Sequence, residues 1–227
     1  MKILVTTILF FVLTVSNALG TAQYPDKIIY DGKEYDLFTN PMEAYFSKYP
    51  EKRPKSGGIS TALWRGYVAT FEVKDKVLIL KDIQIQTGYE KGEQNWRSEK
   101  GAVVPEGQSL QIDWFTGILC LPFGERVKYV HMGYGSTYSN YILLEVKKGK
   151  ITGERKLDGK QYEVFREKQF QAFKKTEEYK ETVARMKNSN DSLEFIDGFL
   201  RVIGVEYTTE FIDDEGSLNK SIDGSKK

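Results

Sequence analysis

The stretch from Ile112 to Val146, IDWFTGILCLPFGERVKYVHMGYGSTYSNYILLEV, does most to limit what this chain can become. Its runs of Val, Ile, Leu, Phe and Tyr are broken by two short turn signals, PFGE and GYGSTYSN. That is the sequence form of antiparallel strands joined by tight connections, and three strands in succession are expected from it. The same stretch carries the only Cys of the chain, Cys120, and the only His, His131. A two-residue loop at Gly124 and Glu125 would pair Ile118 with His131 and leave Cys120 as its diagonal neighbour, about 7 to 8 Å away on the same face. A register one residue off would send the two side chains to opposite faces.

The chain opens MKILVTTILFFVLTVSNALGTAQ, with Lys2, an apolar run from Ile3 to Val15 and then small residues. A positive start, a short apolar centre and a small-residue exit describe a secretory signal peptide over residues 1–22, with cleavage after Gly20 or after Ala22. The run is shorter than the ~20 apolar residues a spanning helix needs, so no stable membrane anchor is expected. The protein is therefore read as exported, to the periplasm or beyond the cell. About 205 residues remain, enough for one core, and a single domain is expected over 23–212. The tail at 213–227 is nearly free of apolar residues and is expected to be disordered.

Loss of Lys2 leaves basic and acidic residues equal in number, so no net field favours phosphate backbones and no nucleic-acid partner is expected. One Cys cannot make an internal disulfide, and stability has to come from packing. Cys120 between two leucines reads first as a small buried hydrophobe.

Along the chain, KIIYDGKEYDLF from Lys27 reads as a hairpin turning at Asp31 and Gly32, and Asn40 with Pro41 opens a short helix that ends before Pro50. Charged and turn residues from Pro50 to Gly58 read as an exposed loop. Strict alternation puts Tyr67, Ala69, Phe71 and Val73 on one strand face, and Lys74, Asp75 and Lys76 turn into a second strand, VLILKDIQI. From Thr87 to Gln108 the sequence is polar and without period, a long loop whose large groups are Tyr89, Trp96 and Arg97. Short strands follow to Phe165, with turns at Lys148 to Gly149 and at Asp158 to Gly159. Composition then switches to a helix over Arg166 to Asn188, with Ala172, Thr176, Tyr179, Val183 and Met186 on one face, then to a second helix ending at Gly204 and a last β-prone run to Ile212. The fold class is α+β, an antiparallel β-sheet with two C-terminal helices packing on it.

Chemistry is mostly excluded. A Ser/His/Asp hydrolase would have to use His131, and no GxSxG elbow occurs. One His and one Cys cannot build a zinc site without three carboxylates, and no phosphate-cradling or dinucleotide motif is present, so neither a metal nor a cofactor is expected. A Cys120/His131 hydrolase lacks any local oxyanion hole or orienting third group. A glycosidase needs only two carboxylates and aromatic platforms, for which Glu72, Asp82, Asp113 and Glu145 beside Trp114 and the loop tyrosines are available.

The loop HMGYGSTYSNY mixes rigid amphipathic rings with small hydrogen-bonding groups, as recognition surfaces do. The leading expectation is a non-catalytic exported protein that binds a protein or glycan partner. Its site would use Trp96, Arg97, His131, Tyr134, Ser136, Tyr138, Asn140 and Tyr141, with the carboxylate glycan hydrolase as alternative and a protein-neutralising inhibitor as a third reading. The runs WRGYVATFEV at Trp64, DWFTG at Asp113 and YVHMGYGSTY at Tyr129 together resemble a β-rich bacterial family with no known activity. The likeness covers about the middle half of the chain and implies no functional residue.

Overall fold

The computed structural model describes residues 21–55, 60–90, 93–187 and 192–203, together with Phe211. The expected leader up to residue 20, the 213–227 tail and all of the last β-prone run except Phe211 lie outside the described residues.

Nine strands and the helices between and after them give the α+β architecture expected. The first hairpin joins β1 (Asp26–Tyr30) to β2 (Lys33–Leu37) through Asp31 and Gly32. Both turn residues have positive φ, 50° and 72°, the backbone that a type I′ turn imposes. A short helix α1 (Met42–Lys48) buries Met42 and Phe46. β3 (Val68–Lys74) and β4 (Val77–Glu90) meet in a second tight turn with positive φ at Asp75 and Lys76. The alternation read from the sequence holds here: Tyr67, Ala69 and Phe71 are fully buried. Across from them the inward positions run Leu78, Leu80 and then Ile83, Ile85, the change of parity being absorbed by the bulge opposite Thr70 and Phe71.

The polar stretch after Thr87 is not a long loop. β4 continues to Glu90, β5 (Glu93–Ser98) returns along it, and a single helical turn α2 (Lys100–Val103) follows. The inward positions of β5 are Gln94 and Trp96, only partly buried and not an apolar series, so periodicity alone missed the pairing.

β6 (Leu110–Gln111) is a brief pairing with β4. The central stretch then forms two long strands rather than three shorter ones, β7 (Gly117–Lys128) and β8 (Thr137–Lys147). The expected turn at Gly124 is a bulge inside β7: Gly124 takes φ 82°, the register slips between Phe123 and Arg126, and the Glu125 N–H donates to Ser139 Oγ at 3.0 Å. The connection is residues 129–136. Cys120 therefore pairs with Leu143 near the start of β7, while His131 lies beyond its far end, and eight residues of strand, roughly 26 Å, separate Cys120 from Lys128. No Cys120/His131 pair forms.

β9 (Lys150–Asp158) is the last of the described strands, and their order in the sheet is β2-β1-β3-β4-β9-β8-β7 with β5 and β6 added on β4. Among the described strands only β1 and β3 pair in parallel. The sheet rolls until its outer strands meet: the Phe38 N–H donates to the Cys120 carbonyl at 2.9 Å, and the Thr39 hydroxyl bridges the Ile118 carbonyl and the Cys120 N–H. Residues of nearly every strand thus share one interior, with Ile28, Leu37, Phe71, Leu80, Ile85, Leu119, Leu121 and Leu144 at its centre.

Asp158 does not turn into another strand. It caps α3 (Gly159–Phe173), with Gln161 closing a reciprocal capping box. Tyr162 and Phe165 of α3 cover the outer face of β7 and β8 over Ile118, Cys120, Tyr141 and Leu143, joined there by Phe211. The charge-rich stretch expected as one helix breaks at Thr176, whose hydroxyl donates to the Phe173 carbonyl at 2.7 Å and accepts the Tyr179 N–H at 3.2 Å. The break yields α4 (Glu177–Lys187), and α5 (Leu193–Ile203) follows. Phe170 and Phe173 of α3 pack with Tyr179, Val183, Met186, Ile196 and Leu200 in a third cluster. Three C-terminal helices stand where two were expected.

Candidate functional site

The segment 21–24 organises one rim of the rolled sheet. Ala22 forms a parallel bridge with Gly133, the Gln23 N–H donates to the Gly133 carbonyl at 3.1 Å, and the Gly133 N–H donates to the Thr21 carbonyl at 3.2 Å. On its other side the Tyr24 N–H reaches the Ala62 carbonyl at 2.9 Å, and the Gln23 side-chain amide reaches the Thr61 carbonyl at 2.8 Å. The 129–136 loop and the Trp64 segment are thereby tied to one strip of backbone. The Tyr24 ring lies edge-on to Trp96 at 5.9 Å, and its hydroxyl accepts from Gln94, which also donates to the Tyr89 hydroxyl at 3.0 Å. The β4–β5 hairpin joins the same rim through these contacts.

Beneath the rim lies a buried polar network. Arg65 lies in the turn that leads into β3, and its side chain is buried in the interior. There it meets Asp26 at 3.1 Å, the Tyr24 carbonyl at 2.9 Å and the Tyr134 hydroxyl at 2.6 Å. Asp26 also accepts the Ala69 N–H at 2.9 Å and the Asn40 amide at 3.0 Å. Burial pushes the Asp26 carboxyl up, against the pull of Arg65 and these two donors. Since all its partners are donors, it works as an ionised acceptor beside a guanidinium that stays charged. A second pair extends the network outward, with Arg53 bidentate on Glu43 and the Tyr67 hydroxyl donating to Glu43 at 2.7 Å.

The eight residues expected to bind a partner separate into two groups. Tyr134 turns inward: it stacks on Phe38 at 4.8 Å, receives Arg65 and Asn40, and burial pushes its hydroxyl up to about 12. Tyr141 is buried against Tyr162, ring on ring at 3.6 Å, and Tyr138 packs edge-on to Phe38. Ser136 accepts the Val130 N–H and shapes the loop, while Asn140 donates to Ser139 beside the β7 bulge. These five side chains are engaged in contacts within the fold. Facing solvent are His131, hydrogen-bonded to the Tyr129 hydroxyl at 2.7 Å, Arg97, paired with Glu99, and the half-exposed Trp96.

Sequence reasoning passed over Tyr24, Tyr129 and Gln94, whose importance comes only from where the chain brings them. Trp64, Tyr89 and Tyr129 are 43%, 66% and 53% exposed. Trp114, offered as a sugar platform, instead donates to the Pro41 carbonyl and leans on Tyr45.

The four carboxylates considered for glycan hydrolysis serve separate local structures. Glu72 pairs with Lys81, Asp82 accepts Ser98 and the Ile83 N–H, Glu145 accepts Thr152 and the Phe211 N–H, and Asp113 is exposed. Among the described residues no group of three or more His, Cys, Asp or Glu is placed to hold a metal ion, and no helix is long and apolar enough to cross a membrane. Comparison with family models, curated proteins and solved structures finds no match to this chain.

Proposed function

We propose that this is an exported recognition protein that binds a glycan on the rim formed by Trp64, Tyr89 and Trp96 with the Tyr129–His131 end of the neighbouring loop. The observation that carries the reading is the exposure of aromatic rings held in place by side-chain amides. Gln94 fixes Tyr24 and Tyr89 while Tyr24 sets the edge of Trp96, so ring faces stand ready without being free to collapse onto one another. A sugar offers an apolar C–H face to such rings and hydroxyls to the neighbouring amides, and rigid rings cost little entropy to order on binding. A hydrolase is less favoured because three of its four candidate acids are engaged in unrelated contacts.

A glycan array probed with the chain from Thr21 onward, run beside a pull-down, tests the proposal. Array binding that falls about tenfold or more in Tyr89→Ala, a variant at an exposed ring, supports it. Capture of a protein with a silent array makes the occupant a protein and removes the glycan assignment, and silence in both removes the recognition reading.

A further inference from the structure

Two exits from the apolar leader offer the small residues that a processing site needs, Ala18-Leu19-Gly20 and Gly20-Thr21-Ala22. The sequence does not choose between them, but they differ in what they leave of the folded rim. Thr21 and Ala22 belong to the rim: the Thr21 carbonyl accepts the Gly133 N–H at 3.2 Å and the Gln23 amide at 2.9 Å, and Ala22 bridges Gly133. Gln23 works from the next position on both neighbours. Its N–H holds the Gly133 carbonyl, its amide holds the Thr61 carbonyl at 2.8 Å, and its side-chain oxygen accepts the Trp64 N–H at 3.4 Å.

Cleavage after Ala22 would take away the acceptor of the Gly133 N–H. It would also leave Gln23 as the N-terminal residue. An N-terminal glutamine cyclises, its α-amine attacking its own side-chain carbonyl and expelling ammonia, so the amide donor that reaches Thr61 would be lost as well. Cleavage after Gly20 keeps every one of these bonds and places the new ammonium group at Thr21.

We infer that the chain is processed between Gly20 and Thr21, and that Thr21, Ala22 and Gln23 form a clasp fastening the 129–136 loop to the Trp64 segment. The inference rests on the export reading. The full-length chain is expressed with its own leader in a bacterial host, and the exported protein is examined by N-terminal sequencing and intact mass. A Thr21 N-terminus supports the assignment. An N-terminus at Gln23, as glutamine or as its lactam, overturns the site and leaves export standing, and an unprocessed chain beginning at Met1 overturns both.

The clasp has its own readout in amide exchange at Gly133, compared between chains that begin at Thr21 and at Gln23. Exchange faster by about tenfold or more in the shorter chain supports the clasp, and equal exchange overturns it.

Discussion

Arg65 is buried in the turn that leads into β3, and its charge is tolerable only because Asp26 is already there at the first position of β1. Removing one partner of such a pair strands the other charge in the interior, at a cost of about 3–5 kcal/mol. Arg65→Leu should therefore lose stability on that scale in urea unfolding, whereas the double change with Asp26→Asn should lose less than the two single changes added together. Additive losses would show that the two groups do not depend on each other. A different kind of unmet group occurs at Glu178 in the first turn of α4, where one carboxyl oxygen is buried without a hydrogen-bond partner among the described residues. Burial first, then the Glu181 charge, push this carboxyl up to about 7, with Arg185 pulling back. A folded-state pKa raised above its ordinary value means stability fully present below about 4.5 and lost as pH rises through about 7. Half-exposure and solvent screening hold the effect to about 1 kcal/mol. Glu178→Gln should thus be the more stable protein at pH 8 and gain nothing at pH 4, and an equal gain at both pH values would disconnect the effect from titration.

Gly124 shows what decides an element when its own residues do not. Pro-Phe-Gly-Glu reads equally as a turn and as a bulge, and the choice belongs to Ser139 on the facing strand, whose hydroxyl takes the Glu125 N–H. A Cβ at Gly124 would collide with that hydroxyl and come within 2.9 Å of the Asn140 amide, on top of the cost of φ 82°. Gly124→Ala should therefore cost about 1–3 kcal/mol. Gly32→Ala shares the positive φ but meets nothing within 4 Å, so its loss in the same melting experiment should be the smaller. Equal losses would mean that Ser139 yields freely. The hairpins at Asp31–Gly32 and Asp75–Lys76 and the alternation of β3 were legible because each is local, a turn signal flanked by a period. The β4–β5 hairpin and the inward turn of Tyr134 were not, since each depends on a partner strand or side chain that no local period marks: β4 for β5, and Arg65 with Asn40 for the tyrosine. The same division explains why five of the eight expected binding residues are found in contacts within the fold. Tyrosine composition marks a surface or a core equally well, and only tertiary partners separate the two.

At the scale of the molecule, three apolar clusters are strung on one connection. The first fills the rolled sheet, the second lies between the outer face of β7–β8 and the front half of α3, and the third joins the back half of α3 to α4 and α5. α3 is the shared member, contributing Tyr162 and Phe165 to the second and Phe170 and Phe173 to the third. The third cluster holds only helices, so it can open without breaking a strand ladder, and its local stability is set by its own few contacts. Met186→Ala removes one of those contacts, at about 2–4 kcal/mol for a buried methionine. If the helices form a separate opening unit, amides of α4 and α5 should lose most of their exchange protection in this variant while those of β7 and β8 keep theirs. Leu119→Ala, inside the rolled sheet, should lower protection throughout, because helices that dock on β7 and β8 cannot outlast the surface they dock on. A parallel fall in β7–β8 protection in Met186→Ala would instead make the whole molecule one cooperative unit, with α3 transmitting the loss from one end to the other.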